Sequence, residues 1–114
     1  MPKDDAVYLG HMLDMARKAV EKTQGVPRAA FDRDENLRLA LAHLIQIIGE
    51  AARRVSPELR QRHPEIPWSA IIGMRHKVVH DYLDIDEDIV WDVVTHDLPG
   101  IVLALEKILP PDTA

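Results

Sequence analysis

A chain of 114 residues with 46% apolar and 29% charged side chains has the size and balance of one globular domain. It contains no cysteine, which excludes a disulfide framework, thiolate catalysis and cysteine-ligated zinc, and its 4% aromatic content argues against an extended β architecture. The net charge of −5 weighs against a general attraction to nucleic acid, yet it is unevenly spread: residues 53–80 hold six basic and two acidic side chains, residues 81–114 one basic and nine acidic.

The first helical pattern runs from about Asp5 to Thr23, with Val7 followed by Leu9, Leu13, Ala16 and Val20 at three- and four-residue steps from Leu9 on. Asp4 or Asp5 is placed to cap its start, and Gly25 with Pro27 to stop it. A second pattern spans about Asp34 to Val55, where Leu37, Leu41, Leu44, Ile45, Ile48, Ala51, Ala52 and Val55 form a stripe broad enough to face two neighbours. Ser56-Pro57 is an N-cap followed by proline at the first helical position, opening a short segment that Pro64 ends. A third helix is expected from Pro67 to about Tyr82–Asp84, with Trp68, Ile71, Ile72, Val78 and Val79 inward. A fourth starts at Asp86-Glu87-Asp88 and carries Ile89, Val90, Val93 and Val94. Pro99-Gly100 should kink or break it near Asp97 before Ile101, Val102, Leu105, Ile108 and Leu109 resume the apolar face. The pattern predicts an all-α, antiparallel four- to five-helix bundle forming a single domain over residues 1–114.

Within this frame the segment Arg75-His76-Lys77-Val78-Val79-His80-Asp81-Tyr82 stands out. At ~100° per residue, Trp68, Ile71, Val79 and Tyr82 fall within about 40° of Arg75. A permanently charged guanidinium is thus expected amid an apolar stripe, which requires a carboxylate partner such as Glu50, a cavity, a polar cleft against a second subunit, or simple surface exposure through snorkelling. His76 and His80, four apart, have the spacing of half a metal site that Asp81 and Asp84 could complete, but no third ligand stands at fixed spacing, and no metal or cofactor is expected. No serine elbow and no glycine-rich phosphate loop is visible. RNA strand cleavage asks less of a protein, because the substrate supplies its own 2′-hydroxyl nucleophile. A histidine can move the proton and an arginine can stabilise the charge on phosphorus, and Arg75 with His80 makes up that minimal kit.

At these residues the chain resembles the HEPN superfamily, whose signature is an arginine followed after four to six residues by a histidine. Here it reads Arg75-x4-His80. The added Tyr82 makes it similar to the HepT-like toxin branch, as do Ile47-Ile48-Gly49-Glu50-Ala51, Ile66-Pro67-Trp68 leading into Ile72-Gly73-Met74-Arg75, and Ile89-Val90-Trp91 through Asp97-Leu98-Pro99. The likeness covers roughly residues 5–110. Where many members carry asparagine after the arginine, this chain has His76, a supporting polar group. The resemblance implies a homodimer whose motif helices line a shared cleft. It also implies a metal-independent endoribonuclease toxin with Arg75 and His80 as catalytic residues. The implied partner is a minimal nucleotidyltransferase antitoxin that adds AMP to Tyr82.

Arg53, Arg54 and Lys77 are expected to contact RNA phosphates. Two other readings stay open: a non-catalytic helical module that docks a nucleotidyltransferase, and a structural helical dimer with Arg75 locked to Glu50. No apolar run approaches a membrane span and no secretory signal is visible, so a cytoplasmic location is expected.

Overall fold

The computed structural model describes residues 2–81 and 84–109, with residues 79–81 and 84 described by their backbone alone. The long helices follow the apolar periods. Helix α1 (Lys3–Thr23) buries Leu9, Met12, Leu13, Ala16 and Ala19, and Gly25, at φ 70°, turns the chain away from its end. A short helix α2 (Arg28–Arg33), absent from the periodicity reading, buries Phe31. Helix α3 (Glu35–Arg54) starts where the Asp34 carboxylate accepts from the Leu37 N–H, and buries Leu41, Ile45, Ile48 and Ala52. Helix α4 (Pro57–Arg62) is capped by Ser56, whose hydroxyl accepts from the Leu59 N–H. Helix α5 (Trp68–Val78) is fixed at its start by the Trp68 indole N–H, which donates to the His63 carbonyl at 2.9 Å.

Beyond α5 the expected helix does not continue. Val79–Asp81 forms a strand, β1, paired antiparallel with β2 (Asp84–Ile85), and the Asp86 N–H donates to the Val78 carbonyl at 2.7 Å. The helix therefore ends four residues or more before the predicted boundary. Val78 and Val79 looked like one continuing apolar stripe, but β-branched residues serve a strand equally well. Tyr82 lies outside the described residues. Helix α6 (Glu87–Asp92), capped by Asp86 accepting from the Ile89 N–H, runs into a π-helical turn (Val93–Asp97) and then α7 (Leu98–Ile108). The π turn lies where a break was expected: Pro99 lacks an N–H, and widening the preceding turn takes up the mismatch in the first turn of α7.

The fold is an all-α bundle. Helix α1 packs against α3 and α7, and α3 against α5. Leu9, Met12, Leu41, Ile45, Ile48, Ile71, Val78, Leu98 and Leu105 meet in one core. Helix α2 ties the periphery together: Phe31 packs on Trp91 of α6 at 5.0 Å between ring centres, and Arg28 pairs with both Asp32 and Asp88. Among the described residues, no helix is long and apolar enough to cross a membrane.

Two local features position the site. At Gly49, an added Cβ would lie 3.2 Å from the Ile71 carbonyl oxygen and 4.0 Å from Arg75 Cβ, so glycine there allows α3 and α5 to approach closely. Asp5 does not cap α1, whose N-cap is Pro2. Instead its carboxylate, 3% exposed, accepts from the Ser56 N–H at 2.8 Å and from the Ser56 hydroxyl at 2.6 Å, joining α1 to the α3–α4 corner. Ser56 thereby both receives its orientation from Asp5 and caps α4.

Gly49→Ala is expected to lower stability by about 1 kcal/mol, because the carbonyl it presses on belongs to a helix backbone and the overpacking outweighs the gain in helix propensity. Gly10→Ala, where nothing stands within 4 Å, should be neutral or stabilising. Thermal melts of the two variants check this contrast. Asp5→Ala should cost about 2–3 kcal/mol by urea denaturation, since it leaves two donors at Ser56 without their charged acceptor.

Candidate active site

Arg75 sits in the last turn of α5, together with His76 and Lys77, where cations suit the negative end of the helix dipole. The side chain is 50% exposed. The sequence reading placed it in the middle of the apolar stripe, but the structure places it at the edge. The buried residues of α5 are Trp68, Ile71, Met74 and Val78, and the helix stops before Val79 and Tyr82, the residues that centred the stripe on Arg75. The guanidinium therefore needs no sealed counter-ion.

Among the described residues it pairs with Glu50, on the turn of α3 that follows Gly49. Arg75 Nη1 stands 3.5 Å from Glu50 Oε2, longer than an ordinary hydrogen bond. Glu50 is engaged more tightly by its own helix. Arg53 donates to it at 2.7 and 3.2 Å, and Arg54 at 3.1 Å. These hydrogen bonds, Arg53 first and Arg54 second, hold the Glu50 carboxyl well below its usual range, at about 2. The same contact raises Arg53, while the Tyr8 hydroxyl and then Glu50 raise Arg54. Three guanidiniums thus surround one carboxylate, an excess of positive charge at a solvent-facing position.

The cluster borders an open cleft of about 690 Å³ between α1 and α3, with Arg75 at its α5 side. Tyr8 and His11 of α1 and His43, Gln46 and Ile47 of α3 line the rest. Arg53 and Arg54 line this cleft together with Arg75. Lys77 does not: it lines a second groove, between α5 and the α6–α7 segment, beside Asp92, His96 and Asp97. His76 is exposed on α5. The backbone of His80 belongs to β1 rather than to the motif helix, two residues past the end of α5. Among the described residues no group of three or more histidines and carboxylates is arranged to hold a metal ion.

Sequence reasoning missed the far half of the cleft. In the sequence His43 reads as an ordinary surface or boundary histidine, His11 carries no pattern, and Tyr8 carries no motif. The available signal was a second stripe on α3, since His43, Gln46, Glu50 and Arg54 recur at three- and four-residue steps opposite the apolar face.

The family model described as ribonuclease HepT-like matches residues 12–108 of the chain. The chain belongs to the HepT-like ribonuclease family. Its all-α bundle is HEPN-like. Its relatives include the protein named "Putative RNase TTE0752" of Caldanaerobacter subterraneus subsp. tengcongensis, 31% identical, with 90% of this chain and 91% of the relative covered. "Putative RNase MJ1380" of Methanocaldococcus jannaschii is 30% identical over 91% of this chain and 95% of its own. "Probable ribonuclease HepT" of Thermococcus cleftensis is 29% identical over 95% and 98%. No solved structure matches the chain.

The depressed Glu50 pKa fixes the sign of a pH effect. A carboxyl held below its ordinary 4.5 contributes stability that is present above that value and is lost as pH falls toward about 2. The difference in melting temperature between the wild type and Glu50→Gln should therefore be constant from pH 5 to 7 and shrink from pH 4.5 to 2.

Proposed function

We propose that this protein is a metal-independent endoribonuclease toxin, with Arg75 and His80 as its catalytic residues. The observation that carries the reading is Arg75 half-exposed at the edge of a cleft that also holds Arg53 and Arg54, with His80 five residues on. A phosphodiester entering there meets a cationic surface with one carboxylate already neutralised by three arginines.

In this reading the His80 imidazole takes the proton of the RNA 2′-hydroxyl, whose oxygen then attacks the adjacent phosphorus. Arg75 stabilises the extra negative charge on the phosphoryl oxygens. The bond to the 5′-oxygen breaks, and that oxygen leaves with a proton from an imidazolium, giving a 2′,3′-cyclic phosphate and a 5′-hydroxyl. A homodimer brings a second Arg75–His80 pair across the cleft, so one histidine can act as base and the other as acid. Arg53 and Arg54 hold neighbouring phosphates, Lys77 contacts the strand on the far side of α5, and His76 supports Arg75. A minimal nucleotidyltransferase antitoxin neutralises the toxin by attaching AMP to Tyr82, which sets a bulky anion against the cationic residues that RNA needs. The family membership and the names of the relatives support the ribonuclease part of this reading.

With chelator present, purified protein should cleave single-stranded or transfer RNA. Arg75→Ala should slow cleavage by about 10²–10³-fold and His80→Ala by about 10²–10⁴-fold. Tyr82→Phe should still cleave but should resist inactivation by the nucleotidyltransferase and ATP, followed by intact-protein mass. Undiminished cleavage by both alanine variants would falsify the assignment of roles. Absence of cleavage, together with tight binding of the nucleotidyltransferase, would favour the docking-module reading.

A further inference from the structure

The α1–α3 half of the cleft plays no part in the chemistry above, yet it carries three ring side chains beside an arginine cluster. Tyr8 and His11 stand one helical turn apart on α1, edge to face, with ring centres 6.4 Å apart. His43 faces the same cleft from α3, seven residues and therefore about 10 Å along the helix from Glu50. Tyr8 and Arg54 line the same cleft, and the tyrosine side chain raises the Arg54 guanidinium. His11 and His43 are exposed and Tyr8 is half-buried, so the rings border solvent rather than filling the core. Arginines that hold a sugar–phosphate backbone, with rings lining the same cleft, form the arrangement that grips single-stranded nucleic acid: charge tracks the backbone and π-faces accept bases of any sequence.

We propose that Tyr8, His11 and His43 form a nucleobase subsite for single-stranded RNA, one that seats a base while Arg53 and Arg54 hold the attached phosphate. The inference rests on the ribonuclease reading and extends it to the substrate: an unpaired strand, because a paired base could not reach the rings. It also assigns α1, which lies outside the Arg-x4-His segment, a direct part in binding.

The test uses two fluorescently labelled probes of ten nucleotides, an all-2′-O-methyl uridine strand and an abasic strand of the same backbone. Neither has a free 2′-hydroxyl, so neither is consumed by cleavage. Wild-type protein should bind the uridine probe at least about fivefold more tightly than the abasic one. Tyr8→Leu and His43→Ala should lose most of that preference, while Tyr8→Phe keeps it because the ring remains. His43→Ala changes an exposed residue, so its fold should survive even if Tyr8→Leu is unstable, and a thermal melt checks both. Arg17→Ala, which disturbs only a pair with Glu106 on the α1–α7 side, should bind like the wild type. Equal binding of both probes by wild-type protein, or ring variants within twofold of the wild-type preference, would overturn the subsite even if RNA is cleaved. Base-dependent binding lost in the ring variants, in a protein that cleaves no RNA, would uphold the subsite and overturn the ribonuclease reading.

Discussion

The site depends on a geometric constraint at Gly49. Because that residue has no side chain, the backbone of α5 comes within contact distance of α3, and Arg75 is delivered beside Glu50. Arg53 and Arg54 approach the same carboxylate from within α3. The carboxylate restrains three side chains that would otherwise wander in solvent, and it leaves their summed charge in excess. Ion pairs this exposed add little to stability. Their value is in orientation, since an arginine already pointing into a cleft loses less freedom when an anion arrives.

The sequence made most of the scaffold legible, for reasons that can be named. Helices α1 and α3 bury long three- and four-step stripes, α4 carries an explicit Ser-Pro start, and Pro99 forces an irregularity that the structure realises as a π turn. Helix α2 escaped because six residues around one phenylalanine are too short to show a period. The end of α5 escaped because paired valines fit a helix stripe and a strand alike. That error moved Arg75 from the edge of the stripe to its middle, and it set up a burial problem that the protein does not have. Of the site, Arg75 came from its place in the apolar stripe and the Arg-x4-His spacing, and Arg53 and Arg54 from charge patterning. Tyr8, His11 and His43 required tertiary packing, because nothing in a linear pattern says which faces of α1 and α3 meet across a cleft.

The charge asymmetry along the chain also takes on structural meaning. The acidic C-terminal third follows the basic middle in sequence, yet part of it pairs elsewhere. Asp88 and Glu87 on α6 pair with Arg28 and Arg38 from α2 and α3, while Glu106 pairs with Arg17 of α1. Acid from the last helices is thus used up on the first part of the chain. Among the described residues the arginines at the end of α3 pair with Glu50 alone, and the cleft stays positive in a protein of net negative charge.

The tie between Asp5 and Ser56 spans 51 positions of sequence, so it can form only after α1 and α3 have docked. From then on it works as a latch: the same serine that receives Asp5 starts α4, and α4 leads into the helix that bears Arg75. Trimming or remodelling the first few residues would thus release more than a frayed end. It would loosen the corner from which the motif helix is launched, and damage at the edge of the molecule would be felt at its reactive centre.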